Sequence, residues 1–416
     1  MTGMKDLVFL SHRIPFPPDK GDKIRSYHVL RHLASRFRIH LGCFFDDPSD
    51  IQHIARLKDI CANVYCLPIG RAQKATRLLR ALADGRSMSE LCFHDRRMHA
   101  WLRRTLARHE IGHAYVFCSS MYPYVEPYLG TMRILVDMVD VDSQKWEAYA
   151  ASAAWPLSMV YRAEHRRVFA LEKRGFAGAD YSLFVSQAEA ECFRKLVSGT
   201  PGRLVHVENG VDLTKLSPER QFPSPFAKES AAIVFTGAMD YRPNIDAVVW
   251  FAHEVFPSVR REHPRAEFWI VGANPSAAVR RLSAQPGVNV TGRVPDIRPY
   301  ISNADCAVAP LRIARGVQNK VLEAMAMGKP VVGTQAALEG ISAIPGRDAL
   351  MARDASEFIS LVSGVLSGGY SQIGLAARAR VESDYRWESN LSILDRLYAE
   401  DNAAPSAHDV PIRIDV

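Results

Sequence analysis

Between Cys306 and Gly333 the chain runs apolar strand, turn, small-residue helix, apolar strand, and that pattern leaves few folds open. Cys306-Ala307-Val308-Ala309 is a short apolar run closed by Pro310, and Pro330 to Gly333 is a second. The stretch from Arg315 between them becomes a helix built of small residues. Two strands joined through a helix lie parallel, with a right-handed crossover. The same alternation recurs along the chain. In the first half, strands are expected at Leu7–Leu10, Ile39–Phe45, Asn63–Leu67, Ala114–Cys118, Ile134–Val136 and Tyr181–Val185. Helices are expected at Ile24–Ser35, Ile51–Ile60, Arg71–Asp84, Arg96–His109 and Trp146–Gly178, the last broken or kinked by Pro156. Ser186 reads as the cap of a further helix, with Glu189 at the capping-box position. After Gly202 the pattern restarts with Val205–Val207. A connector, Thr214–Ser230, then leads to strands at Ala231–Phe235, Glu267–Val271, Val288–Thr291, Ala307–Ala309 and Val331–Val332.

A chain of 416 residues is too long for one ordinary core. The expected fold is α/β, with two Rossmann-like, doubly wound domains facing a cleft. Residues 1–202 form the first domain and 203–383 the second, followed by a helix over 384–400 and a flexible tail over 401–416. In such sheets a ligand sits at the carboxyl ends of the strands. Met4 to Leu10 reads as a first strand rather than a signal peptide. No window holds the run of some 18 apolar residues that a spanning helix needs. The seven cysteines are an odd number without a C-x-x-C pair, which points to a reducing, cytoplasmic setting. The net charge of +7 is uneven. Residues 1–200 carry 29 Lys and Arg against 21 Asp and Glu, and residues 201–416 carry 23 against 24. A basic first domain suits an anionic membrane surface or a lipid-linked phosphate. Nucleic acid is disfavoured, because no aromatic stacking motif accompanies the charge.

Several loops at strand ends carry candidate chemistry. Lys320 and Glu323 lie three apart on the first turns of one helix and share a face. A helix start with a Lys suits a phosphate, and a carboxylate one turn deeper suits ribose or sugar hydroxyls. The loop Pro15–Arg25 places Lys20, Gly21, Asp22, Lys23 and Arg25 at another helix start and reads as an anion-binding turn. Asp137, Asp140 and Asp142 follow a strand; one of them is expected to contact substrate, with helix capping by Asp142 or Ser143 as the alternative. Their spacing matches no calcium loop. Gly237, Asp240, Arg242 and Asn244 follow the first strand of the second half, and Arg242 reads as a phosphate contact. Arg293 and Val294 follow a later strand, where backbone and Val294 can frame a base, and Asp296 caps the next helix.

These blocks occur in an order that resembles family 4 glycosyltransferases of the GT-B fold. More narrowly, they resemble the sugar transferases associated with PEP-CTERM/exosortase exopolysaccharide systems. The resemblance rests on Pro15–His28, Val139–Trp146, Val185–Glu189, Glu208–Asp212, Phe235–Asn244, Gly316–Val332 and Tyr385–Trp387. It implies a retaining transfer of a sugar from a nucleotide-diphosphate donor to a glycan or lipid-linked acceptor, with no metal or other cofactor. It also implies a C-terminal helix that crosses back to the first domain. By the resemblance, Lys320 meets the diphosphate and Glu323 the ribose. Gly21, Gly237, Asp240, Arg242, Arg293, Val294, Gly316, Val317, Gln318 and Asn319 surround the donor. Lys20, Asp22, Lys23, Asp140 and Asp142 face the acceptor, and Lys320, Glu323, Asp140 and Arg242 carry the chemistry. The sequence departs from the wider family at three points. Gly316 stands at the first position of the usual Glu-x7-Glu, only Arg242 remains of a usual Arg and Lys pair, and Phe117-Cys118-Ser119-Ser120 stands where a His is common. A nucleotide-sugar epimerase of the same architecture and a non-catalytic membrane or scaffold protein are the alternatives. The basic helices Arg71–Asp84 and Arg96–His109 are the expected membrane-facing elements of a peripheral protein.

Overall fold

The structure, a computed structural model, describes residues 4–18, 21–70, 85–314 and 316–399. The first sheet contains β1 (Asp6–Ser11), β2 (Arg38–Phe45), β3 (Asn63–Pro68), β4 (Ile111–Phe117), β5 (Arg133–Val139), β6 (Tyr181–Phe184) and β7 (Leu204–His206). Its strands are parallel and ordered 3-2-1-4-5-6-7. The second sheet contains β8 (Ala231–Thr236), β9 (Ala266–Val271), β10 (Val288–Gly292), β11 (Cys306–Ala309), β12 (Val331–Gly333) and β13 (Leu350–Met351). It is also parallel, ordered 10-9-8-11-12-13. The two doubly wound α/β domains of a GT-B architecture are therefore present. The order turns about β1 and β4 in one sheet and about β8 and β11 in the other, which are the places where a ligand crevice opens.

Every residue of β1 is buried, which explains its unbroken apolar run. Its side chains alternate between two cores. Val8 and Leu10 join the core containing Met98, Trp101 and Phe176. Leu7 and Phe9 join the core containing Leu30, Leu33, Leu391 and Leu394. The second core is completed by the helix Trp387–Ala399, whose Trp387, Leu391, Leu394 and Tyr398 recur at helical spacing. This is the C-terminal helix crossing back to the first domain. Trp387 stacks on His28 at 4.5 Å, Asp395 accepts from His32 and Arg36, and Tyr398 donates to the Ala114 carbonyl at 3.0 Å.

Several local expectations change. β7 pairs with β6, so the first sheet extends past residue 202, and the chain leaves it only near Asn209-Gly210. Ile51–Ile60 is a 3-10 turn followed by a short helix, Ile54–Lys58, because Pro48 and Asp47 start a tight turn. The long helix splits into Asp142–Ser152 and Leu157–Gly178 around Pro156. Ser186 does cap its helix, but Glu189 reaches Val141 rather than closing a capping box. The expected helix over 71–84 and the tail over 401–416 lie outside the described residues. Among the described residues, no single helix is long and apolar enough to cross a membrane.

Candidate functional site

The helix Asn319–Ala326 starts beyond the carboxyl end of β11, where the Asn319 and Lys320 N–H groups have no partner among the described residues and the helix dipole favours an anion. Val321, Leu322, Ala324, Met325 and Ala326 are buried and anchor one face. Lys320 and Glu323 stand apart from that face. Lys320 Nζ donates to Asn244 Oδ1 at 2.6 Å and lies 4.8 Å from the centre of the Phe235 ring. Asn244 donates in turn to the Ala238 carbonyl at 2.9 Å, which settles the direction of its amide. Burial pulls the Lys320 ammonium down to about 8 and pushes the Glu323 carboxyl up to about 7, and each charge partly opposes the other's shift. The Glu323 carboxylate accepts no hydrogen bond from the described residues, so its oxygens can take hydroxyl donors.

The opposite wall comes from the first domain. β5 ends at Val139 with a φ of +67°, a strained conformation for a β-branched residue. Two glutamates brace the turn that follows. Glu189 Oε2 accepts from the Val141 N–H at 2.7 Å, and Glu172 Oε1 accepts from the Ser143 N–H at 3.0 Å. The turn brings Asp140 against Gly316 of the second domain. A Cβ on Gly316 would lie 2.6 Å from Asp140 Oδ1, and Gly316 has a φ of +67°. Glycine alone meets both conditions without strain. Burial lifts the Asp140 carboxyl to about 7; Lys145 opposes this, while Glu189 and Asp142 reinforce it. Lys145 donates to Asp142 at 2.9 Å, and Tyr241 reaches its field from the second domain. Asn319 closes the seam: Asn209 Nδ2 donates to its Oδ1 at 3.4 Å, and a Cβ on Gly21 would lie 3.4 Å from its Nδ2.

The structure thus brings Gly21, Gly237, Gly316, Asn319, Lys320, Glu323, Asp140 and Asp142 to one seam. Gly237 packs on Asn244, where a Cβ would lie 2.7 Å from Nδ2. Arg242 is exposed at the first position of the helix Arg242–Trp250, beside Tyr241. Asp240 is exposed and accepts from Asn274 at 3.0 Å. Arg293 is exposed after β10, and Val294 packs on the core of the second domain. Val317 also packs on that core, and Gln318 donates to the Gly316 carbonyl at 3.2 Å.

The anion-binding loop near residue 20 needs correction. Lys23 is buried and bound to Asp50 at 3.0 and 3.2 Å. Arg25 is buried in a fork with Asp137 and also donates to the Val207 carbonyl and Asn209. Both cations are matched by internal carboxylates, because neither could be buried unpaired. Asp22 is held well below the usual carboxylate range by His12 and Arg13 despite burial, and Arg13 donates to it at 2.9 Å. Lys20 lies outside the described residues. Asp137 is buried in structural bonds with Arg25 and Tyr115, and capping of the helix Asp142–Ser152 falls to Glu172 instead of Asp142 or Ser143.

Sequence reasoning missed Lys145, Asn209, Tyr241 and Gly272. Lys145 was legible as the third residue after Asp142 on the same helix. Gly272 directly follows β9, where a Cβ would lie 1.6 Å from the Gly237 carbonyl oxygen. Nothing local in the sequence marks Asn209 as a partner of residue 319. Among the described residues, Asp6, His40 and His109 form a grouping with ligand-like spacing. It lies at the far end of the first sheet, and Arg38 already donates to both Asp6 oxygens at 2.6 Å.

Comparison with known proteins adds to this geometry. Residues 230–367 match the family model described as Glycosyl transferases group 1. No curated protein sequence matches the chain. Among solved structures, sucrose-phosphate synthase from Thermosynechococcus elongatus shares 17% identity at a TM-score of 0.68, over 95% of this chain and 98% of that one. Anabaena HepE, in complex with UDP and glucose, shares 15% identity at a TM-score of 0.65, over 95% of this chain and 100% of that one. WaaG, a glycosyltransferase involved in lipopolysaccharide biosynthesis, shares 13% identity at a TM-score of 0.63, over 95% and 100% of the two chains. The second domain thus carries a region similar to the group 1 glycosyl transferases, within a chain whose described residues have the two-domain GT-B fold.

Proposed function

We propose that the protein is a glycosyltransferase of the family 4 type. It moves a sugar, with retention, from a nucleotide-diphosphate donor on the second domain to an acceptor hydroxyl on the first. The observation that carries this reading is the approach of Asp140 of the first domain to Gly316, in the turn that leads into the helix carrying Lys320 and Glu323. As the sugar–phosphate bond breaks, negative charge grows on the departing diphosphate. Lys320, Arg242 and the helix-start N–H groups stabilise it, a task that dominates such reactions. Glu323 accepts from ribose or sugar hydroxyls. Asp140, once ionised, accepts from the acceptor hydroxyl or from the sugar. In this proposal these cations perform the charge stabilisation with no metal ion. Closure of the two domains over the donor excludes water in this proposal and protects the donor from hydrolysis. The complexes of HepE with UDP-glucose support a uridine donor as the first to be tried. A role in surface or exopolysaccharide synthesis follows the resemblance of the sequence blocks.

Calorimetry with UDP and GDP tests the donor site. Lys320→Ala should weaken the better nucleotide by about 10- to 100-fold, the range for losing a hydrogen bond to a charged group. Unchanged affinity in both Lys320→Ala and Glu323→Ala would sink the site. A donor screen with lipid-extract acceptors, following release of nucleoside diphosphate, then tests transfer itself.

A further inference from the structure

The helices Asp142–Ser152 and Leu157–Gly178 form a hairpin that leaves the first domain from the carboxyl end of β5, the strand whose following turn carries Asp140. The first rises from the carboxyl end of β5 for 11 residues, about 16 Å. The second has 22 residues, and from Glu164 onward it is fixed to the domain, where it buries Val168, Leu171, Gly175 and Phe176. Its first half is held to the partner helix by an aromatic cluster of Trp146, Tyr149 and Tyr161. The tip beyond that cluster is apolar and open: Trp155 is 78% exposed, Leu157 54%, Met159 59% and Val160 37%. Four of the twelve exposed large apolar residues among the described residues fall within these six positions, so the tip is a patch rather than scattered exposure.

The charge beside the tip is positive on balance, with Arg162 and Arg166 set against the exposed Glu147 of the facing helix. Arg162 and Arg166 are exposed and one turn apart. The carboxylates between and beyond them turn inward. Glu164 accepts from the Met88 and Ser89 N–H groups, and Glu172 from Ser143. An indole at the end of an apolar tip, backed by arginines, matches an interface of headgroups over acyl chains. The helix Arg96–Arg108 is a poorer candidate, because its Met98, Trp101 and Leu102 are buried in the core.

We propose that this hairpin tip docks on a bilayer surface containing anionic lipid. Trp155, Leu157 and Met159 insert, and Arg162 and Arg166 meet the headgroups. Because the hairpin springs from the turn that carries Asp140, docking sets the mouth of the cleft beside the lipid. The inference stands on the patch and not on the transfer reaction.

Flotation of the full chain with vesicles tests it, using phosphatidylcholine alone or mixed with phosphatidylglycerol. The wild-type protein should float with the mixed vesicles at low salt and much less with phosphatidylcholine. Trp155→Ser combined with Leu157→Ser and Met159→Ser should lower the partition coefficient by at least about 10-fold. Arg162→Glu with Arg166→Glu should lower it by about fivefold per arginine and flatten its salt dependence. Thermal unfolding checks that the variants fold. If the triple variant does not, Trp155→Ser alone serves, with quenching by brominated lipid reporting insertion in the wild type. Absence of wild-type flotation with the mixed vesicles overturns the proposal, as does undiminished flotation of the variants. A two-copy assembly in sedimentation that the triple variant breaks, without vesicle binding, assigns the patch to a second copy of the chain and overturns it equally.

Discussion

At residue scale, the seam depends on a missing side chain. Gly316 lets Asp140 approach to a distance that no Cβ permits, and its backbone is already left-handed. Gly316→Ala should therefore displace Asp140 and add about 1–2 kcal/mol of backbone strain. In a transfer assay kcat should fall at least about 10-fold while nucleotide affinity, measured by calorimetry, stays within about threefold, since Lys320 and Glu323 are untouched. Full activity in this variant would show that the contact is incidental. Glu172 offers a second test. Burial raises its carboxyl to about 8 from an ordinary 4.5. The folded state thus holds a proton that the unfolded chain has lost, so this residue's contribution to stability falls as pH rises from about 4.5 to 8, by about 1.4 kcal/mol per unit. Glu172→Gln keeps an acceptor for Ser143 and removes the titration. Its melting temperature relative to wild type should be higher at pH 8 than at pH 6. Much of the second domain's contribution was legible because Lys320 and Glu323 lie on one short helix. The roles of Lys23 and Arg25 were not, because their partners Asp50 and Asp137 are 27 and 112 residues away.

At the scale of elements, periodicity located most strands and helices, since parallel strands buried on both faces have no polar interruptions. It failed where chemistry outside the element decides. The 3-10 turn Pro48–His53 answers to Asp47, and Glu189 answers to the strained end of β5 rather than to its own cap. The helix Trp387–Ala399 was expected from the family resemblance, yet its energetic weight appears only in the packing. Trp387 is 3% exposed and stacks on His28. Trp387→Ala should destabilise the protein by about 3–5 kcal/mol in urea titration, the range for emptying a large aromatic site. A loss below about 1 kcal/mol would mean that the first domain holds without this helix.

The whole molecule divides the proposed chemistry between its halves, and pH should reveal that division. Asp140, from the first domain, must be ionised to accept a proton from a hydroxyl, and burial lifts it to about 7. Lys320, from the second, must stay protonated to hold phosphate, and burial lowers it to about 8. The profile of kcat/KM should therefore be bell-shaped, rising through about 7 and falling beyond about 8. Glu323 titrates near the lower limb as well, so Asp140→Asn and Glu323→Gln should be compared. A flat profile from pH 6 to 9 would remove both groups from the chemistry.

The chain passes between the domains twice, at Asn209–Val211 and at Tyr385–Trp387, and the two passages touch. Val211 donates to the Tyr385 carbonyl at 2.8 Å, and a Cβ on Gly210 would lie 2.6 Å from the Trp387 nitrogen. The first domain's core therefore contains the last described helix of the polypeptide. During synthesis, residues 4–207 leave the ribosome long before Leu391 and Leu394 can reach them. The amino-terminal half must wait, with one apolar face uncovered, until the second domain has been made. A fragment ending near residue 210 is thus an unfinished fold, and dissecting the two halves requires grafting 385–399 onto the first.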